Sequence, residues 1–424
     1  MRRTIVWILY ILMGVQIAFG CVYFVTGFTA EQKFAENIVT FLPAGVFYLL
    51  QFTAAAGSAW YFLGKMGLQD RRVRGYLCAF LLTVPFFLQM HLAKLAWSLS
   101  LSALLWLLGL VMDIRKRGMS GGSGALLLLS YFLYGIICPD GLWLGGILLL
   151  TVLPRSIGRG QADKTAVRCR FCLSVLLTAG VIFLVNMGLN GALPKQRRIY
   201  RENNPGTAVV SRLVWPNFAT NYFFWSDEVK AVLSEEEAID VSERIDLLEK
   251  EFYPSMRETY GSGKATLLCL EMGYRCLMDR SRETVLEIVT DFKDYLLIPF
   301  TVERNLQGRG VSLTAWNYGR MKEQRPILVK YYYRYGLFEL PLLLLGSLLL
   351  WGFRRGDQNS QWKLLLYMGF LYTLWYTMKS NLPIDYKQVL PILLIWYLAS
   401  VWGIVMKRPE RQNEVGDVGK RKTD

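Results

Sequence analysis

Ionisable and polar side chains that could carry out acid–base chemistry or bind an anion stand beside apolar runs in this 424-residue sequence. An ionisable group next to hydrocarbon is costly and usually has a function. Carboxylates placed there could act as general bases, and Lys or Arg could hold a phosphate. The residues of this kind are Glu31, Glu36, His91, Lys94, Asp140, Arg304, Asn305, Asn317, Arg320, Asp385 and Lys387.

The elements that position these residues are apolar runs of helical length. The chain is 53% hydrophobic and 14% aromatic with a mean hydropathy of +0.28, which excludes disorder and argues against an ordinary soluble domain. The pattern predicts an all-α polytopic membrane protein with about ten transmembrane or re-entrant helices. The runs are 5–26, 43–63, 75–90, 95–112, 125–138, 141–153, 171–189, 337–353, 364–378 and 388–406.

Two of these runs, 125–138 and 141–153, are shorter than the roughly 20 residues that cross a bilayer. They leave three alternatives: two short spans, a re-entrant hairpin, or one long helix interrupted at Pro139, Asp140 and Gly141. The first two preserve the inside–outside alternation of the later segments. The third inverts it.

Basic residues favour one orientation, because cytoplasmic loops carry an excess of Lys and Arg. With both termini in the cytoplasm, the inside segments hold close to half of the 48 basic residues, and the short outer loops hold few. A single long helix would place the basic segment 155–170 on the wrong side. The net charge of +15 therefore records the topology of a multi-pass plasma-membrane protein and does not call for nucleic acid.

This orientation divides the chain into four parts. Residues 1–189 form an N-terminal membrane region of about seven spans, 190–336 a mainly α extracytoplasmic domain, 337–406 three further spans, and 407–424 a cytoplasmic tail. The outer segment has nearly equal numbers of acidic and basic residues, as a soluble domain would. Within it, 226–252 reads as one helix with Ser226 as N-cap, and 264–297 reads as two helices.

The sequence predicts no cofactor and no metal centre. Its seven cysteines are scattered, so they do not form a disulfide framework. Cys169 and Cys172 make a CxxC, but a single histidine and no second CxxC argue against zinc. A divalent ion remains an open alternative, although no cluster of ligands supports it.

Four segments resemble the GT-C superfamily of polyprenyl-phosphate-dependent glycosyltransferases, which includes protein mannosyltransferases and aminoarabinose transferases. The first outer loop, FTAEQKFAENIVTFLP, carries acids where that superfamily has its catalytic carboxylate. The segments 81–110, with a Pro-aromatic turn, and 131–150, with an acid beside proline, are similar to its membrane turns. NLPIDYKQVLPILLIWYL (381–398) is similar to its Asp-Tyr-basic-x-x-x-Pro start of a late span. The resemblance covers most of the membrane part and little of 190–297.

The resemblance implies an inverting transfer of a hexosyl or pentosyl group from a polyprenyl-phosphate donor to an acceptor at the outer face. Glu31 or Glu36 would be the base that deprotonates the acceptor hydroxyl. Lys387 and Tyr386, with Arg304 or Arg320, would neutralise the departing phosphate. The remaining substrate-binding residues would be Asp140, His91, Lys94, Asn317 and Asp385. The acceptor would be a saccharide, a lipid or a protein, and an apolar groove among membrane lipids would take the polyprenyl tail.

Other interpretations stay open at this point. The chain offers Glu31 and Glu36 where the family usually has aspartates, and five positions apart on a helix they point in different directions. A non-catalytic relative that binds a lipid-linked saccharide or a partner in cell-envelope assembly is therefore the alternative. Simpler structural roles are a wet helix end for the glutamates, a turn for Asp140, and an anchor for Lys387. A secondary transporter is disfavoured by the lack of two-half symmetry and by few ionisable groups at mid-membrane.

Overall fold

The structure is a computed structural model that describes the greater part of the chain. The described residues are 2–31, 44–85, 87–88, 95–138, 140–153, 164–192, 209–214, 218–243, 247–297, 326–351, 358–379 and 386–405. Within these ranges the protein is helical and contains no strand. Each of the ten apolar runs lies largely or wholly on a helix, so the all-α class is confirmed.

The helices fall into three groups along the chain. The first group is α1 (Arg2–Glu31), α2 (Ala44–Lys65), α3 (Arg71–Thr83), α4 (Leu95–Arg117), α5 (Gly121–Ile137), α6 (Gly141–Val152) and α7 (Lys164–Ala192). The second group is α8 (Phe218–Asn221), α9 (Asp227–Lys230), α10 (Glu235–Glu243), α11 (Tyr253–Asp279) and α12 (Ser281–Leu296). The third group is α13 (Pro326–Trp351), α14 (Gln358–Lys379) and α15 (Tyr386–Val405).

Three segments among the described residues have the length and hydropathy of a membrane-crossing helix. They are Arg3–Val22, Ser98–Arg117 and Thr165–Gly188, with mean hydropathies of 2.3, 1.5 and 2.1. The second is 72% buried inside the protein, whereas the other two are 22% buried and expose most of their apolar surface. An exposed apolar surface of this length is favourable only in lipid, so these helices indicate a membrane protein.

The first and third groups share one hydrophobic core, and its residues come from all ten of their helices. Tyrosine and tryptophan side chains fill much of it. Trp402, Tyr131, Tyr134, Tyr372, Tyr376 and Tyr397 are the bulkiest polar aromatic side chains that are almost fully buried. Buried hydroxyl groups need hydrogen-bond partners, so polar contacts as well as apolar packing hold these helices together.

Side-chain contacts fix the relative directions of neighbouring helices in the first group. Lys65 forms an ion pair with Asp113 at an N–O distance of 2.8 Å, and Tyr61 packs against Gly109, so α2 and α4 run parallel. The side chain of Gln16 reaches Thr83, and Tyr76 donates a hydrogen bond to the carbonyl of Tyr10. These two contacts make α1 and α3 parallel as well.

Contacts between the third and first groups, and within the third group, fix the relative directions of their helices in the same way. Leu9 packs on Gly346 and the ring of Phe19 lies 5.8 Å from that of Tyr335, so α1 and α13 are antiparallel. Tyr367 donates to Thr151 at 3.0 Å and Trp375 reaches Asp140, which makes α6 and α14 antiparallel. In the same way, α13 and α15 are parallel because Tyr397 bonds the carbonyl of Gly336 and Ser347 packs on Gly403.

The second group has a hydrophobic cluster of its own, built on aromatic contacts. The ring centroids of Phe218 and Trp225 lie 4.5 Å apart, and those of Phe218 and Phe252 5.5 Å apart. Cys269 and Met272 of α11 close the cluster from the other side. Residues 210–276 therefore contribute apolar packing that is separate from the membrane-type core.

Two sequence expectations about this segment have different outcomes. The single helix predicted over 226–252 is wrong: the structure has the short α9, then α10, then one wide helical turn at Leu248–Phe252. Ser226 does occupy the N-cap of α9, but its side chain makes no capping bond. The two helices predicted over 264–297 are confirmed, since α11 ends at Asp279 and α12 begins at Ser281. The ring of Phe292 in α12 lies 5.3 Å from that of Phe370 in α14.

Candidate functional site

The tight turn between α5 and α6 carries the predicted site residue that the structure describes in full, Asp140. Tyr131 of α5 donates a hydrogen bond to the carbonyl of Leu142 at 2.8 Å, and the amide of Gly141 donates to the carbonyl of Cys138 at 2.9 Å. The two helices therefore form an antiparallel hairpin. One long interrupted helix, among the alternatives left by the sequence, is wrong.

Glycines explain why these two helices pack so closely. A Cβ atom at Gly145 would lie 2.8 Å from the ring of Tyr131, and one at Gly141 would lie 2.5 Å from the carbonyl oxygen of Tyr134. Both distances are shorter than real side chains allow. The missing side chains let the tyrosines of α5 rest directly on the α6 backbone, which places Asp140 at the end of a compact hairpin.

The Asp140 carboxylate is almost fully buried and is held by an indole from a distant part of the chain. Its side chain is 4% exposed, and Nε1 of Trp375 in α14 donates to Oδ1 at 3.2 Å. Although Asp140 stands at the N-cap of α6, its side chain makes no capping hydrogen bond. The simple role of turn former or cap therefore does not account for the direction of this carboxylate.

Two tyrosines of α14, Tyr372 and Tyr376, lie within electrostatic reach of the carboxylate. The hydroxyl groups of Tyr134 and Tyr372 are hydrogen-bonded to each other, and the ring of Tyr376 lies 6.2 Å from that of Tyr372. The Tyr376 hydroxyl is within electrostatic reach of Asp140 but has no hydrogen-bond partner in proper geometry among the described residues. The site thus combines one carboxylate with several polar aromatic groups in a largely dehydrated setting.

Trp143 extends this cluster to the protein surface. Its ring stacks against that of Trp375 at a centroid distance of 6.4 Å and an angle of 28°, and 54% of the residue is exposed. A tryptophan with one polar edge and an exposed face suits the membrane–water interface. It also provides a flat apolar surface within one helical turn of Asp140.

An apolar groove lies on the opposite face of α5. It has a volume of about 230 Å³ between α4 and α5. Its wall consists of Ala103, Trp106, Leu126, Leu129, Ser130 and Leu133. Leu133 lies four residues before the end of α5, about 6 Å from it along the helix axis. A hydrocarbon chain in this groove would therefore end close to the α5–α6 turn.

Most of the other predicted site residues lie outside the described residues. For Glu31, Tyr386 and Lys387 the structure describes the helical backbone, at the end of α1 and the start of α15, and not the side chain. Those wholly outside are Glu36, His91, Lys94, Arg304, Asn305, Asn317, Arg320 and Asp385. Their convergence with Asp140 stays a prediction. Among the described residues no group of three or more His, Cys, Asp or Glu side chains could hold a metal ion.

The structure adds functional candidates that the sequence reasoning missed. Trp375 bonds Asp140 although 235 positions separate them in sequence, and Tyr372 lies within electrostatic reach of the carboxylate. Trp143 stacks on Trp375, and Tyr134 is hydrogen-bonded to Tyr372. The aspartate and proline of the turn could be recognised in the sequence. The spacing of aromatic residues in α14 does not indicate that α14 packs against this turn. Comparison with protein-family models, with curated proteins and with solved structures gave no match.

Proposed function

We propose that the chain is a multi-span plasma-membrane glycosyltransferase, which moves a sugar from a polyprenyl-phosphate donor to an acceptor at the outer face of the membrane. The observation that carries the proposal is the Asp140 carboxylate, buried at a helical turn, held by Trp375 and extended to the surface by Trp143. A carboxylate can accept hydrogen bonds from sugar hydroxyls, and an indole face can pack against the apolar face of a sugar ring.

The helix directions support ten crossings with both termini in the cytoplasm. Strict alternation along the chain requires α2 to be parallel to α4, α1 to α3, and α13 to α15, and it requires α1 to oppose α13. The contacts between these helices agree in every case. Basic residues add to the argument, because Lys116 bonds the carbonyl of Lys65 at 3.0 Å, so the basic ends of α2 and α4 lie together.

With both termini in the cytoplasm, the same alternation would put the α5–α6 turn at the outer face. There the Asp140 cluster would hold the sugar, while the groove between α4 and α5 would take part of the polyprenyl tail. The tail and the sugar would then lie on either side of α5, with the phosphate near the turn. Burial of apolar surface at about 25 cal/mol per Å² would supply most of the donor affinity.

The chemistry assigns different tasks to the acidic and basic groups. Glu31 would take the proton of the acceptor hydroxyl as the new glycosidic bond forms, with Glu36 as the alternative base. Lys387, helped by Tyr386 and by Arg304 or Arg320, would balance the charge on the phosphate that leaves. Asp140 would orient the sugar by accepting its hydroxyl protons in hydrogen bonds. Because it would contact the sugar directly, Asp140 is a substrate-binding residue in this scheme.

Transfer in proteoliposomes tests the proposal. Purified protein would be incubated with a panel of tagged polyprenyl-phosphate sugars and with membrane extract as the acceptor source, and tagged product would be separated from donor. We expect Asp140→Asn to lower kcat/KM by about 10- to 100-fold, since a hydrogen bond to a charged group contributes roughly 1.5–3 kcal/mol. Asn keeps an oxygen for the Trp375 indole, so the fold is retained.

Asp279→Asn is the matched control, because Asp279 is an exposed carboxylate at the end of α11. It should transfer like the wild type. Binding of the lipid-linked sugar without any turnover by the wild type would favour the alternative, a non-catalytic protein of cell-envelope assembly. If the protein neither binds nor turns over any donor in the panel, both functions are rejected.

A further inference from the structure

A second buried carboxylate, Glu339, lies in the middle of α13. It is about 20 Å from either end of this helix, given a rise of about 1.5 Å per residue. Glu339 is 1% exposed, and both of its carboxylate oxygens lack a hydrogen-bond partner among the described residues. The sequence reads FEL here, close to the start of the apolar run 337–353.

The register between α1 and α13 identifies the residue opposite Glu339. Leu9 packs on Gly346 and Phe19 contacts Tyr335, so in this antiparallel pair each step forward in α1 matches a step backward in α13. Counting from Leu9 places Gln16 level with Glu339, and counting from Phe19 places it level with Phe338, one residue away. Gln16 is also completely buried, which means that both side chains occupy the interior of the helix interface.

One acceptor atom of the Gln16 side chain makes no hydrogen bond with the described residues. Its Nε2 donates to the carbonyl of Thr83 at 2.7 Å, whereas its Oε1 has no partner among the described residues. Three buried acceptor oxygens, two of Glu339 and one of Gln16, thus lack a donor. Buried polar atoms are almost always hydrogen-bonded, so such a cluster points to a species that supplies a donor or a positive charge.

The neighbouring hydroxyl groups do not supply it. Tyr335 donates to the carbonyl of Leu12 at 2.8 Å and Tyr76 donates to that of Tyr10. These two phenols are within electrostatic reach of Glu339, with Tyr10 behind Tyr76 on α1. From α15, Tyr397 donates to the carbonyl of Gly336 at 3.3 Å. Among the described residues, these phenols are the titratable groups that the contacts place around the site from α1, α3, α13 and α15.

We propose that Glu339 is a proton-binding site: its carboxyl group carries a proton and donates it in a hydrogen bond to Oε1 of Gln16. One proton then removes the buried negative charge and satisfies two of the three open acceptors. The resulting neutral bond joins α1 to α13 near the middle of both helices. A metal ion would need more ligands, because hard cations such as Ca²⁺ and Mg²⁺ take about six or more oxygens and the described site offers three.

Infrared spectroscopy of the whole protein in lipid nanodiscs tests the assignment. At neutral pH we expect a carbonyl stretching band of a protonated carboxylic acid that shifts in D₂O and is lost in Glu339→Gln. Glu271→Gln is the control, since Glu271 is partly exposed and paired with Arg275 at 2.6 Å. It should leave the band unchanged. Loss of a carboxylate band in Glu339→Gln, or removal of the acid band by sodium at constant pH, would overturn the proposal.

A second variant tests the partner. Gln16→Met keeps the size of the side chain and removes the amide, so the acid band should remain and move to the frequency of a carboxyl group without a hydrogen bond. An unchanged band position would refute the bond to Gln16. If Glu339→Gln does not fold, the infrared comparison is replaced by reaction of the native protein with a lipid-soluble carbodiimide. The peptide that contains Glu339 should be modified, at a rate that falls as the pH rises, and an unmodified peptide would contradict the proposal.

Discussion

Asp140 and Glu339 are both buried carboxylates, but their surroundings suit different tasks. Asp140 lies at a turn, accepts a hydrogen bond from Trp375 and is linked by stacked indoles to the surface. Glu339 lies in mid-helix and faces acceptors and occupied phenols. A group that must bind an external sugar needs access and directional partners. A group that carries one proton needs only a dehydrated pocket with a single acceptor in reach.

A thiol in the second group of helices gives a residue-scale prediction about pH. Burial raises the pKa of Cys269 from 9.0 to about 12. Because the thiolate is the reactive form, iodoacetamide should leave Cys269 unmodified in the folded protein at pH 8 and should modify it after unfolding. Cys169 in α7 is exposed and should react in both states. Mass spectrometry of the alkylated peptides measures both residues in one sample.

The sign of the stability effect follows from the direction of this shift. A pKa that is higher in the folded protein stabilises it fully below the unfolded value, and the contribution is lost as the pH rises through the folded value. For Cys269 this window runs from about 9 to about 12. Cys269→Ala should therefore remove part of the alkaline unfolding of this segment. Alkylation of native Cys269 at pH 8 as fast as that of Cys169 would contradict the burial argument.

At the scale of helices, local patterns identified the elements and missed several of their ends. The apolar runs gave each membrane-type helix because a long apolar stretch has few other stable forms. The single helix predicted over 226–252 failed because Ser234 and Glu237 form a capping box, with bonds of 2.8 and 3.3 Å, that restarts the helix. The amide and the hydroxyl of Ser234 both donate to the Glu237 carboxylate, at 2.8 and 2.9 Å, and these two bonds lower the pKa of Glu237.

Helix pairing explains why the site was only partly predictable. Proline and aspartate at the α5–α6 turn are adjacent in sequence, so Asp140 could be recognised there. Its partner Trp375 belongs to α14, and no periodicity within α14 specifies that it packs against α6. Glu339 was overlooked for the same reason. In the sequence, a lone acid in an apolar run resembles an interfacial residue. The bounds of α13 show that Glu339 lies in the middle of this helix, and its packing on α1 shows which residues are level with it.

The glycine face of α6 makes a prediction about the hairpin. In Gly145→Val the new side chain would meet the ring of Tyr131, and overpacking of this kind costs about 1–3 kcal/mol. The thermal unfolding temperature in detergent should therefore fall. Gly188→Ala is the matched control, because a Cβ at this exposed position in α7 meets nothing within 4 Å and should not destabilise the protein. Equal unfolding temperatures for Gly145→Val and the wild type would contradict the close packing of α5 on α6.

At the scale of the whole molecule, the described contacts link distant parts of the chain into one membrane-type core. α1 packs on α13, and α6 packs on α14, so helices of the first and third groups are neighbours although the second group separates them in sequence. This arrangement allows a large insertion between α7 and α13 without interrupting the core. The inserted segment also contacts this core, because the ring of Phe292 in α12 lies 5.3 Å from that of Phe370 near the middle of α14.

The orientation of this assembly leads to a prediction for intact cells. In a variant whose only cysteine is Cys169, a membrane-impermeant maleimide added outside should give no labelling until the membrane is permeabilised, because the start of α7 faces the cytoplasm in the proposed topology. Glu236→Cys, placed in the same background with Cys169 replaced by Ser, should be labelled at once, since Glu236 is exposed on α10. Labelling of Cys169 from outside, with protection of the cysteine at 236, would show that the topology is the reverse of the proposed one. Asp140 would then lie at the cytoplasmic face. The transfer reaction would then have to draw its donor from that side, and the outer-face proposal would be lost.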